Sequence, residues 1–168
     1  NTAEMVEQLS SVAPVWVSDI NSVSESLDMI KMLGKLLNVT EKATEVIESI
    51  KSEMRSFQEL MGAKPKRKAV YIIWKNPYMA AGKNTFINEL LRLNNFKNIA
   101  LDYDSRYPEI SVDKMKKADV VLLSSEPFPF KENDVLLLQE EVGVKVKLVD
   151  GEYFSWYGSR LQEAFSYF

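Results

Sequence analysis

The sequence predicts an α/β fold: a three-layer lobe on a largely parallel sheet, preceded by a long interlobe helix and a partial second lobe. Three observations carry this. Residues 40–61 contain neither proline nor glycine and place apolar side chains at Ala43, Val46, Ile47, Ile50, Met54, Phe57 and Met61, the spacing of a helix with one buried stripe. From Ala69 onward, short apolar runs alternate with amphipathic segments, as in a parallel sheet with helices on its faces. The runs AVYIIW (69–74) and DVVLL (119–123) are continuous, which marks strands covered on both sides.

Residues 2–9 read as a short helix capped by Thr2, with Met5, Val6 and Leu9 on its apolar side. PVWV at 14–17 is short and rich in β-branched residues, so it reads as a strand closed by Ser18, Asp19 and Asn21. A second helix runs from about Ser24 to Leu37 and ends near Asn38. That strand has no local partner. Its partners are therefore expected in a part of the protein beyond this sequence, leaving apolar surface and self-association through residues 1–39. The long helix should start at an N-cap Thr40 and stop at Gly62. At about 1.5 Å per residue it would span roughly 30 Å, enough to run from one domain into another. The expected division is residues 1–39 as a partial N-terminal lobe, 40–63 as the linking helix and 64–168 as the C-terminal α/β lobe.

Residues 65–68 form a basic connector to the first strand, 69–74. The turn KNPYMAAGKN and a helix over 85–93 follow. Ile99 and Ala100 suggest a brief second strand, and Ser111 is a good cap for the helix VDKMKKA. Residues 119–123 are the next buried strand, with an exit loop over 124–131 and a helix over 134–141. VKVKLV at 144–149 alternates and so belongs nearer an edge. The last helix is expected over 157–165.

Composition narrows the function. Among 168 residues, 46% are apolar, 24 acidic side chains face 21 basic ones, and the net charge is −3. That field is unsuited to wrapping nucleic acid. The chain has no cysteine and no histidine, so Ser–His–Asp and Cys–His catalysis and ordinary zinc chemistry have no residues to work with, and an enzyme is not expected. A start at Asn1 reads as a processed protein or an excised fragment.

In a parallel sheet, ligands bind beyond the carboxyl ends of the strands, and the loops there are crowded with aromatic residues. Tyr78, Tyr103, Tyr107, Phe128, Phe130, Tyr153, Phe154, Trp156 and Tyr157 all fall in them. Such a rim suits a large, flat, partly apolar ligand or a protein surface. Ala81–Gly82–Lys83–Asn84 lies where a phosphate loop would, but it lacks the further glycines and the Ser or Thr after the lysine. Asp102, Asp104 and Glu109 leave a hard-metal site of oxygen ligands open. From the residues alone, a stand-alone flavodoxin-like or receiver-like interaction domain is the alternative function.

Three stretches, VYIIWKNPYMAAGKNTFINELLRLNNFKNIA, SRYPEISVDKMKKADVVLLSSEPFPF and DGEYFSWYGSRL, together resemble the C-terminal lobe of the periplasmic substrate-binding proteins of ABC importers. The similarity is to the vitamin B12, haem and ferric-siderophore class, and residues 1–61 resemble the end of its N-terminal lobe and its interlobe helix. The resemblance implies a ligand held between two lobes. It also implies an extracytoplasmic location, a signal peptide or membrane anchor through a missing N-terminus, and docking onto an ABC permease. Tyr107 matches the ligand-facing position of the YPEIS loop, while Glu152 and Trp156 match two ligand-edge positions after the last strand. In B12 binders these hold an acid and a basic residue, so Trp156 departs from the pattern, and cobalamin, haem and a ferric siderophore all stay open as transported ligand. The resulting cleft wall is Trp74, Tyr78, Tyr107, Phe128, Glu152 and Trp156. Asp113, or Glu109, matches the acid that pairs with permease arginines.

Overall fold

The computed structural model describes residues 2–168. Two amphipathic helices, α2 (Val23–Leu36) and α3 (Thr40–Gly62), follow the short α1 (Ala3–Ser10). A sheet follows with strands β1 (Arg67–Trp74), β2 (Met79–Ala80), β3 (Phe96–Asn98), β4 (Val120–Ser124) and β5 (Lys145–Val149). Between and after them lie α4 (Phe86–Leu93), α5 (Val112–Met115), α6 (Glu132–Val142), α7 (Gly151–Ser155) and α8 (Leu161–Tyr167). β1 is central. It pairs in parallel with β4 on one side and with β3 on the other, where β2 also joins it antiparallel. β5 pairs in parallel with β4 and closes the far edge.

Strand alternation sorts the core into two layers. Ala69, Tyr71, Val120 and Leu122 point to one face, where they meet Ile50 and Phe57 of α3, Leu90 and Leu91 of α4, and Leu161 and Phe165 of α8. Val70, Ile72, Val121 and Leu123 point to the other, against Met115, Leu138 and Val142. Both faces are covered, which is why β1 and β4 are written as unbroken apolar runs. β5 buries Val146 and exposes Lys145 and Lys147, as an edge strand should.

The long helix is present, but its ends differ from expectation. Val39 occupies the N-cap without a side-chain bond, and Thr40 is already helical. The reason is a tight corner: Asn38 is left-handed at φ 56°, and the Val39 N–H reaches back to the Gly34 carbonyl at 2.8 Å. Gly62 is likewise helical, with Ala63 at the C-cap. Asn95 Nδ2 donates to the carbonyls of Met61 (2.5 Å) and Lys64 (3.0 Å), so this helix end is satisfied from across the fold and needs no left-handed glycine.

PVWV pairs with no strand among the described residues, and Val15, Trp16 and Val17 are all exposed. Two further expectations are corrected. The second strand ends at Asn98, whose side chain accepts from the Ala100 N–H at 3.0 Å and turns Ile99 and Ala100 into a short 3-10 segment facing the core. The last helix starts at Leu161, because Gly158 at φ 100° interrupts the chain, and the short α7 capped by Asp150 precedes it. The antiparallel β2 hairpin was not foreseen. α2 packs along α3, and Val23 enters the same core as Phe57 and Leu161.

Candidate functional site

The carboxyl ends of β1, β4 and β5 converge on one edge, and the loops leaving them carry the candidate ligand residues. At the end of β1, the ring of Trp74 meets Phe128 edge-on with centroids 5.6 Å apart, and Phe128 meets Phe130 at 4.6 Å. Phe130 is buried and anchors the row, Phe128 is half-buried, and Trp74 is exposed. Next to Trp74, Lys75 pairs with Asp134 at 2.5 Å.

Tyr78 and Tyr107 stand on two segments that are stitched together. The Ile110 N–H donates to the Tyr78 carbonyl at 2.9 Å, the Ala80 N–H to Pro108 at 2.9 Å, and the Gly82 N–H to Arg106 at 2.9 Å. A Cβ on Gly82 would lie 2.5 Å from the Ser105 carbonyl oxygen, so this glycine serves close packing of the loop. Tyr78 is half-buried, which raises its phenol pKa through desolvation. Tyr107 projects at the tip of the loop, 43% exposed. Its neighbour Arg106 is anchored across the chain by Asp19 (2.9 Å) and Asn21 (3.1 Å).

On the third loop the two predicted residues have different partners. Glu152 pairs with Arg160 at 2.8 Å, and the Arg160 guanidinium lies 4.6 Å from the Tyr153 ring centre, so this carboxylate is engaged within the lobe. Trp156 is 53% exposed, and its indole Nε1–H donates to Glu126 at 2.9 Å. Trp74, Tyr107 and Trp156 are thus each exposed, on three separate loops at the strand ends. A groove of about 320 Å³, lined in part by Arg67, Phe96, Lys145, Lys147 and Tyr167, lies on the α8 face of the sheet and is lined by none of these three.

The other candidates lie apart. Asp113 sits on the one-turn helix that Ser111 caps, with its side chain 88% exposed. Lys116, 2.8 Å away, holds its carboxyl below the usual range. Glu109 is exposed beside Tyr107, opposite Met79 in a backbone bridge. Asp102 pairs with Lys114 and Asp104 with Lys83. Among the described residues no three His, Cys, Asp or Glu side chains cluster as a metal site.

The sequence signature described as periplasmic binding protein matches residues 1–134, across both helical arm and lobe. The chain belongs to the periplasmic binding protein family. This replaces the flavodoxin-like or receiver-like alternative, since the match runs unbroken from the helical arm through β4. An uncharacterized ABC transporter substrate-binding lipoprotein of Bacillus subtilis, YvrC, is 32% identical over 107 residues, 60% of this chain and 34% of that protein. The chain thus spans about a third of the curated relative it matches. Among solved structures, the periplasmic vitamin B12 binding protein BtuF of Vibrio cholerae superposes with a TM-score of 0.78 at 15% identity, over 99% of this chain and 68% of that one. A periplasmic heme binding protein of Pseudomonas aeruginosa gives 0.81 at 17% identity, over 98% and 66%. At these identities the likeness establishes a shared periplasmic binding protein fold.

Glu126, at the start of the β4 exit loop, went unrecognised in the sequence. Its Oε1 receives the Trp156 indole and the Ser155 hydroxyl at 2.6 Å. The SSEP stretch that carries it gives no periodicity or spacing to set it apart from an ordinary loop acid.

Proposed function

We propose that this chain is part of the substrate-binding component of an ABC importer, and that its strand-end wall receives cobalamin, haem or a ferric-siderophore chelate for delivery to a membrane permease. The observation that carries this reading is the exposure of Trp74, Tyr107 and Trp156 on loops at the carboxyl edge of the sheet, which we read as one open aromatic wall. A flat macrocycle or an aromatic chelate offers such rings a matching apolar face. Tyr78 and Phe128 support the wall from below, while Glu152 acts through its bond to Arg160. Family membership and the titles of the relatives support this ligand class.

The same proposal divides the chain at residues 39 and 63. The exposed, unpaired Val15–Val17 segment suits an approach from a second lobe, and α3 then links the two. Such a protein works outside the cytoplasmic membrane. In isolation, residues 1–39 expose apolar surface able to pair with a second copy. Asp113 is the residue proposed to meet permease arginines, with Glu109, two positions from Tyr107, as the second candidate.

Titration of the full-length protein with cobalamin, haem and ferric siderophores tests the proposal. One of the three should quench tryptophan fluorescence with a Kd of about 1 μM or tighter, corresponding to roughly 8 kcal/mol of binding. Failure of all three would overturn the ligand class.

A further inference from the structure

The structure assigns Glu126 as the positioning residue of the proposed ligand wall, acting on Trp156 through its Oε1 atom; this rests on the proposed function above. The chain is built to place that carboxylate. Glu126 leaves β4 just beyond Ser124, whose hydroxyl accepts from the Glu126 N–H at 3.4 Å and is itself 2.9 Å from the buried Tyr71 hydroxyl. Across from it, Gly151 starts α7 with no side chain to intervene. A Cβ there would lie 2.5 Å from Glu126 Cγ and 2.5 Å from Ser124 Oγ. The Gly151 N–H is held by Ser125 Oγ at 2.9 Å, which fixes the two loops side by side.

Two donors then meet on one oxygen. Trp156 Nε1–H lies 2.9 Å from Oε1 and Ser155 Oγ 2.6 Å from it; Ser155 Oγ is also 2.8 Å from the Gly151 carbonyl. A carboxylate oxygen has two lone-pair sites, so it can take both the indole and the hydroxyl. Trp156 is otherwise an exposed residue just past a five-residue helix, and Glu126 is its only side-chain hydrogen-bond partner among the described residues. Without that bond, the indole would lose its fixed orientation at the ligand edge and the ordering cost would fall on binding. What matters is an acceptor at this reach, since both bonds use a single oxygen and neither donor is charged.

Two substitutions separate reach from charge. Glu126→Gln keeps an sp² oxygen at the same distance and removes the charge. Glu126→Asp keeps the charge and withdraws it by one methylene. The measurement is solvent exchange of the Trp156 indole proton in nitrogen-15 spectra of the ligand-free chain, assigned by Trp156→Phe. The indoles of Trp16 and Trp74 report whether each variant remains folded. Exchange of the Trp156 proton should rise about tenfold in Glu126→Asp, the scale of one lost hydrogen bond, and stay near the parent value in Glu126→Gln. Equal exchange in parent and Glu126→Asp overturns the assignment. So does a Glu126→Gln variant that exchanges as fast as Glu126→Asp, which would make the charge itself the agent. Because no ligand is present, failure of the ligand titrations leaves this test intact.

Discussion

At the scale of single residues, the pair Lys75–Asp134 ties the turn after β1 to the start of α6. Asp134 is the third residue of α6 and accepts from the Lys131 N–H at 2.9 Å, while Lys75 bonds its other oxygen. Lys75 first, and the Lys131 N–H second, hold the Asp134 carboxyl below its ordinary value of 3.8. A lowered folded-state pKa contributes stability that is complete above 3.8 and is lost as the pH falls through the lower folded value. Asp134→Asn should therefore lower the urea midpoint at neutral pH by an amount corresponding to on the order of 1 kcal/mol. The difference from the parent should shrink in acid below 3.8. A constant difference at all pH values would assign the effect to packing instead. Legibility in the sequence stopped at this scale. Thr2, Ser111 and the apolar stripe of α3 were readable because caps and periodicity are local. Asn95 closing α3 and Glu126 holding Trp156 are contacts between residues 30 or more positions apart, and spacing carries no trace of them.

At the scale of elements, the corner between α2 and α3 decides how the helical arm packs. Asn38 supplies the left-handed turn, and Gly34 lets the helices touch: a Cβ there would lie 2.4 Å from the Ala43 Cβ. Gly34→Ala should destabilise the chain by about 1–3 kcal/mol through overpacking. Ala43→Gly alone should cost about 1 kcal/mol in helix propensity. The double variant should be more stable than the sum of the two, and a sum that is additive to within about 0.5 kcal/mol would place the clash elsewhere. Strand identity was legible for β1 and β4, whose apolar runs are continuous, and for β5, which alternates. It was not legible for β2 and β3, because two and three residues are too short for a period. PVWV forms no ladder among the described residues: β-branched residues favour extended backbone, but a strand also needs a neighbour to bond, and the sequence offers none within this chain.

At the scale of the whole molecule, ligand contact and permease contact are proposed to occupy separate surfaces. Among the described residues Asp113 is tied only to Lys116, the C-cap of its own short helix, and its carboxylate is almost fully exposed. Asp113→Lys should leave ligand affinity unchanged and slow transport in vesicles carrying the permease, more so at low salt where screening is weak. Unchanged transport would remove the docking role and leave ligand binding untouched.

The central claim is that the ligand lies against the aromatic wall, and Tyr107 tests it most directly. Its ring is exposed on a loop pinned by Arg106 to Asp19 and by backbone bonds to the β2 hairpin, so removing it leaves the loop's anchors in place. Burying such a ring against a ligand contributes on the order of 2 kcal/mol. The decisive measurement is the Kd of full-length protein and of Tyr107→Ala for whichever of the three chelates binds. The wall predicts a Kd weakened roughly tenfold or more by the substitution. A folded Tyr107→Ala protein with an unchanged Kd would contradict it.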